Sequence, residues 1–373
     1  MYVYNIDMVK IIDILSIARE NNAYHIQLIA GYKPVFRING ENNELEGFET
    51  LTANDSEQYF RECLEIVSCS SIKKDYIIQQ FENHKNTNFS IESKDVGRFR
   101  INVHIQKQTI ALSIRVIPLD IPSPEQLNLP QLIYELCELE QGLIVVTGPS
   151  CHGKTTTIAA MINMINRNQN KHIITIEDPI EFVYENMSSY IQQRELGIDC
   201  NSISSALKNS LQQNPDIIFV GELNSPEVIE AAINASQAGH LVLSTICTND
   251  VVQTIDHIIS LFPSNEQSKI RQQLSGTLAA VICQRLVPSL ALTRILTTEV
   301  LRTNYSVQSI IKSGQLQDLY KIIETSIQEG MHLFSQDLMS MVHKQMISFQ
   351  TAIKYCNDKN YFEKIAHELL KDN

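Results

Sequence analysis

Alternating polar and apolar positions dominate the chain up to Pro118, and unbroken apolar runs separated by helical patterns dominate after it. In the first part, Ile11, Ile12, Leu15 and Ile17 recur at near-helical spacing between Val9 and Asn21, which predicts a helix. Tyr24 to Ile29 then alternates as a strand, Gly31 to Pro34 turns, and Val35 to Ile38 forms a second strand ending at Asn39-Gly40, a hairpin signal. A helix over Ser56 to Ser68 and strands at Phe89–Ile91, Phe99–Val103 and Ile110–Val116 complete a small α/β domain on an antiparallel sheet.

Pro118 to Pro124 is the densest proline stretch, and prolines hold a connector extended. Ser123-Pro124-Glu125 within it has the residues of a helix start, Ser as cap and Pro in the first turn. Beyond it, strands at Leu143–Val146, His172–Ile176, Asp216–Val220 and His240–Thr245 alternate with helices at Ile158–Ile165, Ser202–Gln213 and Pro226–Gln237. That order implies a mostly parallel sheet covered by helices, with its site at the carboxyl ends of the strands. A long helical pattern from Asn265 to Arg285, a strand through Thr298–Leu301 and helices to the end follow, the Met-rich stretch Met331–Met346 reading as core packing. The expected divisions are 1–117, a linker 118–130, a core 131–303 and a helical region 304–373.

The first apolar run leads into Gly148-Pro149-Ser150-Cys151-His152-Gly153-Lys154-Thr155-Thr156, a GxxxxGKT loop set between a strand and a helix. Glycines at both ends let successive backbone N–H groups curl around phosphate oxygens, and the helix beginning near Lys154 adds its positive end. Lys154 would reach the β- and γ-phosphates of ATP and the Thr155 hydroxyl would ligate Mg²⁺. Cys151 and His152 stand where small residues are usual, and their side chains are expected to point away while their amides bind; a redox or metal role for the pair is the alternative.

Carboxylates fall at strand ends: Glu177, Asp178 and Glu181 after the second strand, and Glu222 after Val220-Gly221. A carboxylate at the tip of the strand neighbouring the phosphate loop can hold Mg²⁺ or orient an attacking water. Taken singly, each serves equally as a solvated loop residue. His240, at a strand start, is either a satisfied structural histidine or a neutral donor near a γ-phosphate.

Composition narrows the field. A net charge of −12, a pI near 5.3 and no Lys/Arg cluster argue against a nucleic-acid surface. Met1 to Glu20 carries Asp7, Lys10, Asp13 and Arg19, unlike a signal peptide, and no apolar run is long enough to span a bilayer, so direct membrane insertion is not expected. The eight cysteines contain no CxxC pair and read as reduced thiols.

Gly148–Thr155, Ile176–Phe182, Val220–Glu222 and Gly239–Val242 together resemble the Walker A, Asp box, Walker B and His box of the secretion and pilus ATPases, and the chain looks like their type IV pilus retraction branch, the PilT and PilU proteins. Glu82–His84, Val96–Arg100, Gln284–Pro288 and Gln328–Met331 are more similar to PilU. Neither the four-cysteine zinc insertion nor the extra N-terminal domain usual in the assembly ATPases is expected here.

The resemblance implies a PAS-like N-terminal α/β domain, a RecA-like P-loop ATPase core with C-terminal helices, and a homo-hexameric ring that hydrolyses ATP to drive pilus retraction and twitching. It implies a cytoplasmic ring, peripheral at the inner membrane, that assists a PilT paralogue and docks on the inner-membrane platform protein. Glu222 would activate water, Glu177 and Glu181 would shape the Mg²⁺ and water site, and His240 would sense the nucleotide. Arg100 and Arg115 match arginines that reach a nucleotide at a subunit interface; on the residues alone they read as salt-bridged strand-surface residues. The chain departs from the family at Cys247, where a second His-box histidine is common, at Tyr24 and Gln212, and at Ser306–Ile311, where PilT has a different helix. These departures keep a second expectation in play, a nucleotide-binding scaffold for PilT with little hydrolysis.

Overall fold

The computed structural model describes residues 9–38, 40–67, 71–93, 95–118, 120–291 and 293–363. Asn39 of the expected hairpin turn, the Ser68 end of the expected helix, Leu119 of the linker and the last ten residues of the C-terminal region lie outside them. The chain divides into two compact units: 1–120 with 178–183 and 195–201, and 121–177 with 184–194 and 202–373.

The first unit runs α1 (Ile11–Glu20), β1 (His25–Ile29), β2 (Val35–Ile38), β3 (Glu41–Glu44), α2 (Ala53–Ile66), α3 (Ser71–His84), β4 (Asn86–Ser93), β5 (Gly97–Gln106) and β6 (Thr109–Ile117). Among the described residues its strands form one six-stranded sheet in the order β3-β2-β1-β6-β5-β4, each neighbouring pair antiparallel. Alternation puts Phe99, Ile101 and Val103 into a core shared with Ile14, Leu15, Phe60 and Ile114. Thr52 starts α2 earlier than periodicity suggests, because its hydroxyl caps Asp55 N while Asp55 answers Thr52 N. Helix α3 has no clean apolar stripe in its sequence, which is why the pattern of positions does not announce it.

The second unit runs α4 (Leu132–Leu136), β7 (Gly142–Thr147), α5 (Lys154–Asn168), β8 (His172–Glu177), β9 (Tyr190–Glu195), α6 (Ile203–Ser210), β10 (Ile217–Val220), α7 (Pro226–Gln237), β11 (Leu241–Ile246), α8 (Val251–Ser260), α9 (Gln267–Thr277), β12 (Leu278–Pro288), β13 (Arg294–Arg302), α10 (Tyr305–Ser313), α11 (Leu319–Thr325), α12 (Phe334–His343) and α13 (Phe349–Tyr355). Its sheet has the order β13-β12-β7-β11-β10-β8-β9. The five strands from β12 to β8 are parallel, and β13 closes the edge antiparallel to β12.

Three expectations are corrected. The helical pattern from Asn265 to Arg285 is two elements, α9 and β12. The run Leu278–Cys283 is buried on both faces beside β7, and an apolar run of that length fits a buried strand or a buried helix equally well. Ser123 does cap Gln126 N, but the chain makes only a turn there, with Asn128 at φ +53° and Pro130 two residues on. The strand carrying Glu222, β10, is not the neighbour of the loop strand β7, because β11 lies between them.

Candidate active site

Strand β7 is buried along its whole length and delivers the chain to Gly148 at the carboxyl edge of the sheet. Gly148 takes φ +143°, and a Cβ there would stand 2.2 Å from the carbonyl oxygen of Gln284, so the loop lies directly on the backbone of β12. Gly153, at φ +84°, opens α5. Cys151 adopts φ +63°, the left-handed region, with an exposed thiol. Pro149 and Ser150 complete the arch, and Thr155 and Thr156 follow Lys154 in the first turn of the helix.

His152 turns away from the arch. Its Nδ1 accepts from Leu286 N at 3.0 Å, and its carbonyl accepts from the buried Gln284 Nε2 at 2.7 Å. Burial first, and then Arg294, Lys154 and Arg285, hold its imidazole below the ordinary histidine range, which favours the neutral ring that can accept.

Lys154 Nζ donates to the carbonyls of Gly148 at 2.9 Å and Pro149 at 3.0 Å, and to Cys247 Sγ at 3.2 Å. Cys247 follows β11, with the Glu222 carboxylate close enough to act on its thiol. Burial raises the thiol's pKa above the usual value; Lys154 opposes the shift and Glu222 adds to it. Glu222 is held from both sides by its neighbours: Gly221 N donates to Ile176 O of β8, Thr245 Oγ1 donates to Gly221 O, and Leu223 N donates to Thr245 O. The structure thus gathers Lys154, Cys247 and Glu222 at one strand edge. Cys247 is central because β11 separates β7 from β10, a register that local spacing does not reveal.

Glu177 ends β8, buried, and its Oε1 accepts from Thr175 Oγ1 at 2.7 Å and Gln193 Nε2 at 3.2 Å. His240 is not brought to the loop. It precedes β11 at the amino edge of the parallel sheet, its Nδ1 2.8 Å from the Pro215 carbonyl, and the strand separates it from the arch by roughly 20 Å. In the first unit, Arg100 and Arg115 stand opposite each other on β5 and β6, and both face Glu181: Arg100 NH1 lies 2.7 Å and Arg115 NH1 3.9 Å from Glu181 Oε1. That carboxylate screens two like charges placed side by side.

The arch fits a nucleotide polyphosphate: a glycine turn that a side chain would block, an ammonium folded onto the turn's own carbonyls, and a helix N-terminus behind it. Among the described residues there is no group of three or more His, Cys, Asp or Glu that could hold a metal ion. No described helix is long and apolar enough to cross a membrane.

A sequence model of the type II/IV secretion system protein family matches residues 103–356. The chain is 37% identical to a twitching motility protein of Neisseria gonorrhoeae over 76% of each chain. It is 32% identical to the type IV pilus retraction ATPase PilT of Pseudomonas aeruginosa, over 92% of this chain and 96% of that one, and 32% identical to the PilU of the same organism, over 93% and 88%. By identity it therefore stands equally near both, without the lean toward PilU that its segments suggest. Among solved structures, the pilus retraction motor PilT with bound ADP superposes with a TM-score of 0.81 at 36% identity, covering 95% of this chain and 99% of that one. The Legionella pneumophila ATPase DotB shares the fold, with a TM-score of 0.76 at 23% identity over 94% and 96%.

Proposed function

This chain belongs to the type II/IV secretion system protein family and, within it, to the PilT/PilU-type pilus ATPases; from that premise we propose that it is a hexameric motor whose ATP hydrolysis drives pilus retraction and twitching beside a PilT ring. The observation that carries the reading is the strand-edge cluster, in which Lys154, Cys247 and Glu222 meet over the Gly148 arch. It is an ATP-hydrolysing enzyme. When bound, Mg-ATP supplies the anhydride whose cleavage releases the free energy.

The protein's part in that chemistry is to bind, orient and move a proton. The amides from Gly148 to Thr156 would hold the phosphates, Lys154 exchanging its two carbonyl partners for phosphate oxygens. Thr155 would ligate Mg²⁺. Glu222, fixed through Gly221 and Leu223, would orient the attacking water and accept its proton. Glu177, kept in place by Thr175 and Gln193, would shape the edge of the water site. Arg100, Arg115 and Glu181 form one ion cluster that we assign to contact with a neighbouring subunit's nucleotide, the arginines keeping Glu181 as their resting partner. The ring would work at the cytoplasmic face of the inner membrane, held there by the platform protein.

The test is steady-state phosphate release from the purified chain with Mg-ATP, alone and mixed with its PilT paralogue, using Glu222→Gln as the blank. Glu222-dependent turnover with loss of twitching in a deletion strain is the expected result. Absence of turnover in both mixtures would move the assignment to a nucleotide-binding scaffold for PilT.

A further inference from the structure

Two side chains on adjacent strands grip the same two parts of the second unit. Arg285, on β12, donates through NH2 to the Asn249 carbonyl at 2.7 Å, in the segment that follows Cys247. The same guanidinium reaches Asn357 Oδ1 at 2.6 Å and, through NH1, the Tyr355 carbonyl at 2.7 Å, and it lies 4.4 Å from the ring centre of Phe334. Glu299, on β13 and buried, accepts from Val251 N at 3.0 Å and from Phe334 N at 3.4 Å. These are the first residues of α8 and α12. Each side chain therefore ties the 249–251 segment to the carboxyl-terminal helical region.

The gripped segment leads directly into the nucleotide arch. Cys247 holds Lys154, and Thr248 N donates to Thr147 Oγ1 at 3.2 Å, one residue before Gly148. On either side of Arg285, Gln284 Nε2 and Leu286 N donate to the carbonyl and the ring of His152, a residue of the arch. A cavity of 330 Å³ adjoins the grip, lined by Glu299, Phe334, Asn357, Tyr320, Glu324 and Tyr361 among others. It leaves the carboxyl-terminal side room to shift without forcing close-packed side chains together.

We infer that Arg285 and Glu299 are positioning residues through which the carboxyl-terminal helices set the affinity of the phosphate loop for nucleotide. A rearrangement at Tyr355–Asn357 or at the start of α12 reaches Lys154 through Asn249, Val251 and Cys247. Conversely, nucleotide that draws Lys154 off Cys247 loosens the 247–251 segment and with it the hold on those helices. The inference rests on nucleotide binding at this loop and is independent of pilus retraction.

The experiment titrates a fluorescent ADP analogue, with Mg²⁺, into the full chain and into Arg285→Met, Asn357→Ala and the double variant, recording Tm for each. Asn357 touches no part of the phosphate loop, yet Asn357→Ala is expected to change the Kd by about 3-fold or more, within the 2- to 30-fold range of residues along a coupling route. Arg285→Met is expected to change it further, and the double variant to match Arg285→Met alone, because both act through one guanidinium. An unchanged Kd in Asn357→Ala would overturn the inference. Additive effects, or a loss of affinity that merely follows a fall in Tm, would overturn it as well. If Arg285→Met does not fold, Asn357→Ala decides alone, with Glu299→Gln in place of the first variant.

Discussion

Cys247 occupies the point where three parts of the site meet: it takes a hydrogen bond from Lys154, feels the Glu222 carboxylate, and opens the segment leading to α8. Cys247→Ala removes one of the three resting partners of Lys154 and the thiol beside Glu222. We expect tighter nucleotide binding together with slower turnover, each by about fivefold for one modest hydrogen bond. Cys247→Ser, which keeps a donor and an acceptor, should restore both values, and measuring KM and kcat separately distinguishes the effects. At Cys151 the backbone sits at φ +63°, where a side chain is strained. Cys151→Gly should raise stability by up to about 1 kcal/mol, seen as a higher Tm with the catalytic constants little changed. The arch was legible in the sequence because its glycines, lysine and threonine act through local spacing. The place of Cys247 beside Glu222 was not, because it depends on which strand separates β7 from β10. His240 drew notice for its chemistry, but the parallel direction of β11 leaves it at the opposite edge.

Elements read from period and punctuation came out well where the chain gives both signals. Helix α7 begins at Pro226 after its Ser225 cap and ends at Gln237, as the pattern indicates. Strands β9 and β12 were missed or merged for different reasons. The first is a mixed polar stretch with little alternation of burial, and the second is apolar on both faces. What β12 and β13 add is the Arg285 and Glu299 grip, and Glu299 makes it sensitive to pH. Burial above all, with Asp250 also contributing, pushes its carboxyl up to about 7, against the pull of the Val251 and Phe334 amides and Arg285. Cys283 of β12 and Tyr320 of α11 also face it. A raised carboxyl binds its proton more tightly when folded. Its contribution is therefore complete below the ordinary pKa of 4.5 and is lost as pH rises through about 7, amounting to at most about 3 kcal/mol. Thermal unfolding between pH 5 and pH 8 should thus show a steeper fall in Tm for the wild type than for Glu299→Gln. Parallel curves would place the titration elsewhere.

For the whole molecule, alternation of strands and helices was enough to foresee an antiparallel unit followed by a parallel one. Partner choice by side chains was less legible: Arg100, Arg115 and Glu181 each stand out in the sequence, while their joining in one ion cluster depends on the β5–β6 register and the return of 178–183 to the first unit. If those arginines serve a neighbour's nucleotide in the assembled ring, hydrolysis in one subunit depends on the state of the next. Mixing wild-type chains with Glu222→Gln chains, at constant total concentration and after exchange of subunits, tests this. Independent subunits lose activity in proportion to the variant fraction. Subunits that act through one another lose it faster, because a single blocked site holds its neighbours in the bound state. The expected curve lies below the proportional line, and a second series with Arg100→Ala chains should fall below it too, since each site deprived of its neighbour's arginine stays loaded and blocks the next in turn. A straight line in both series would mean that the sites hydrolyse independently of one another.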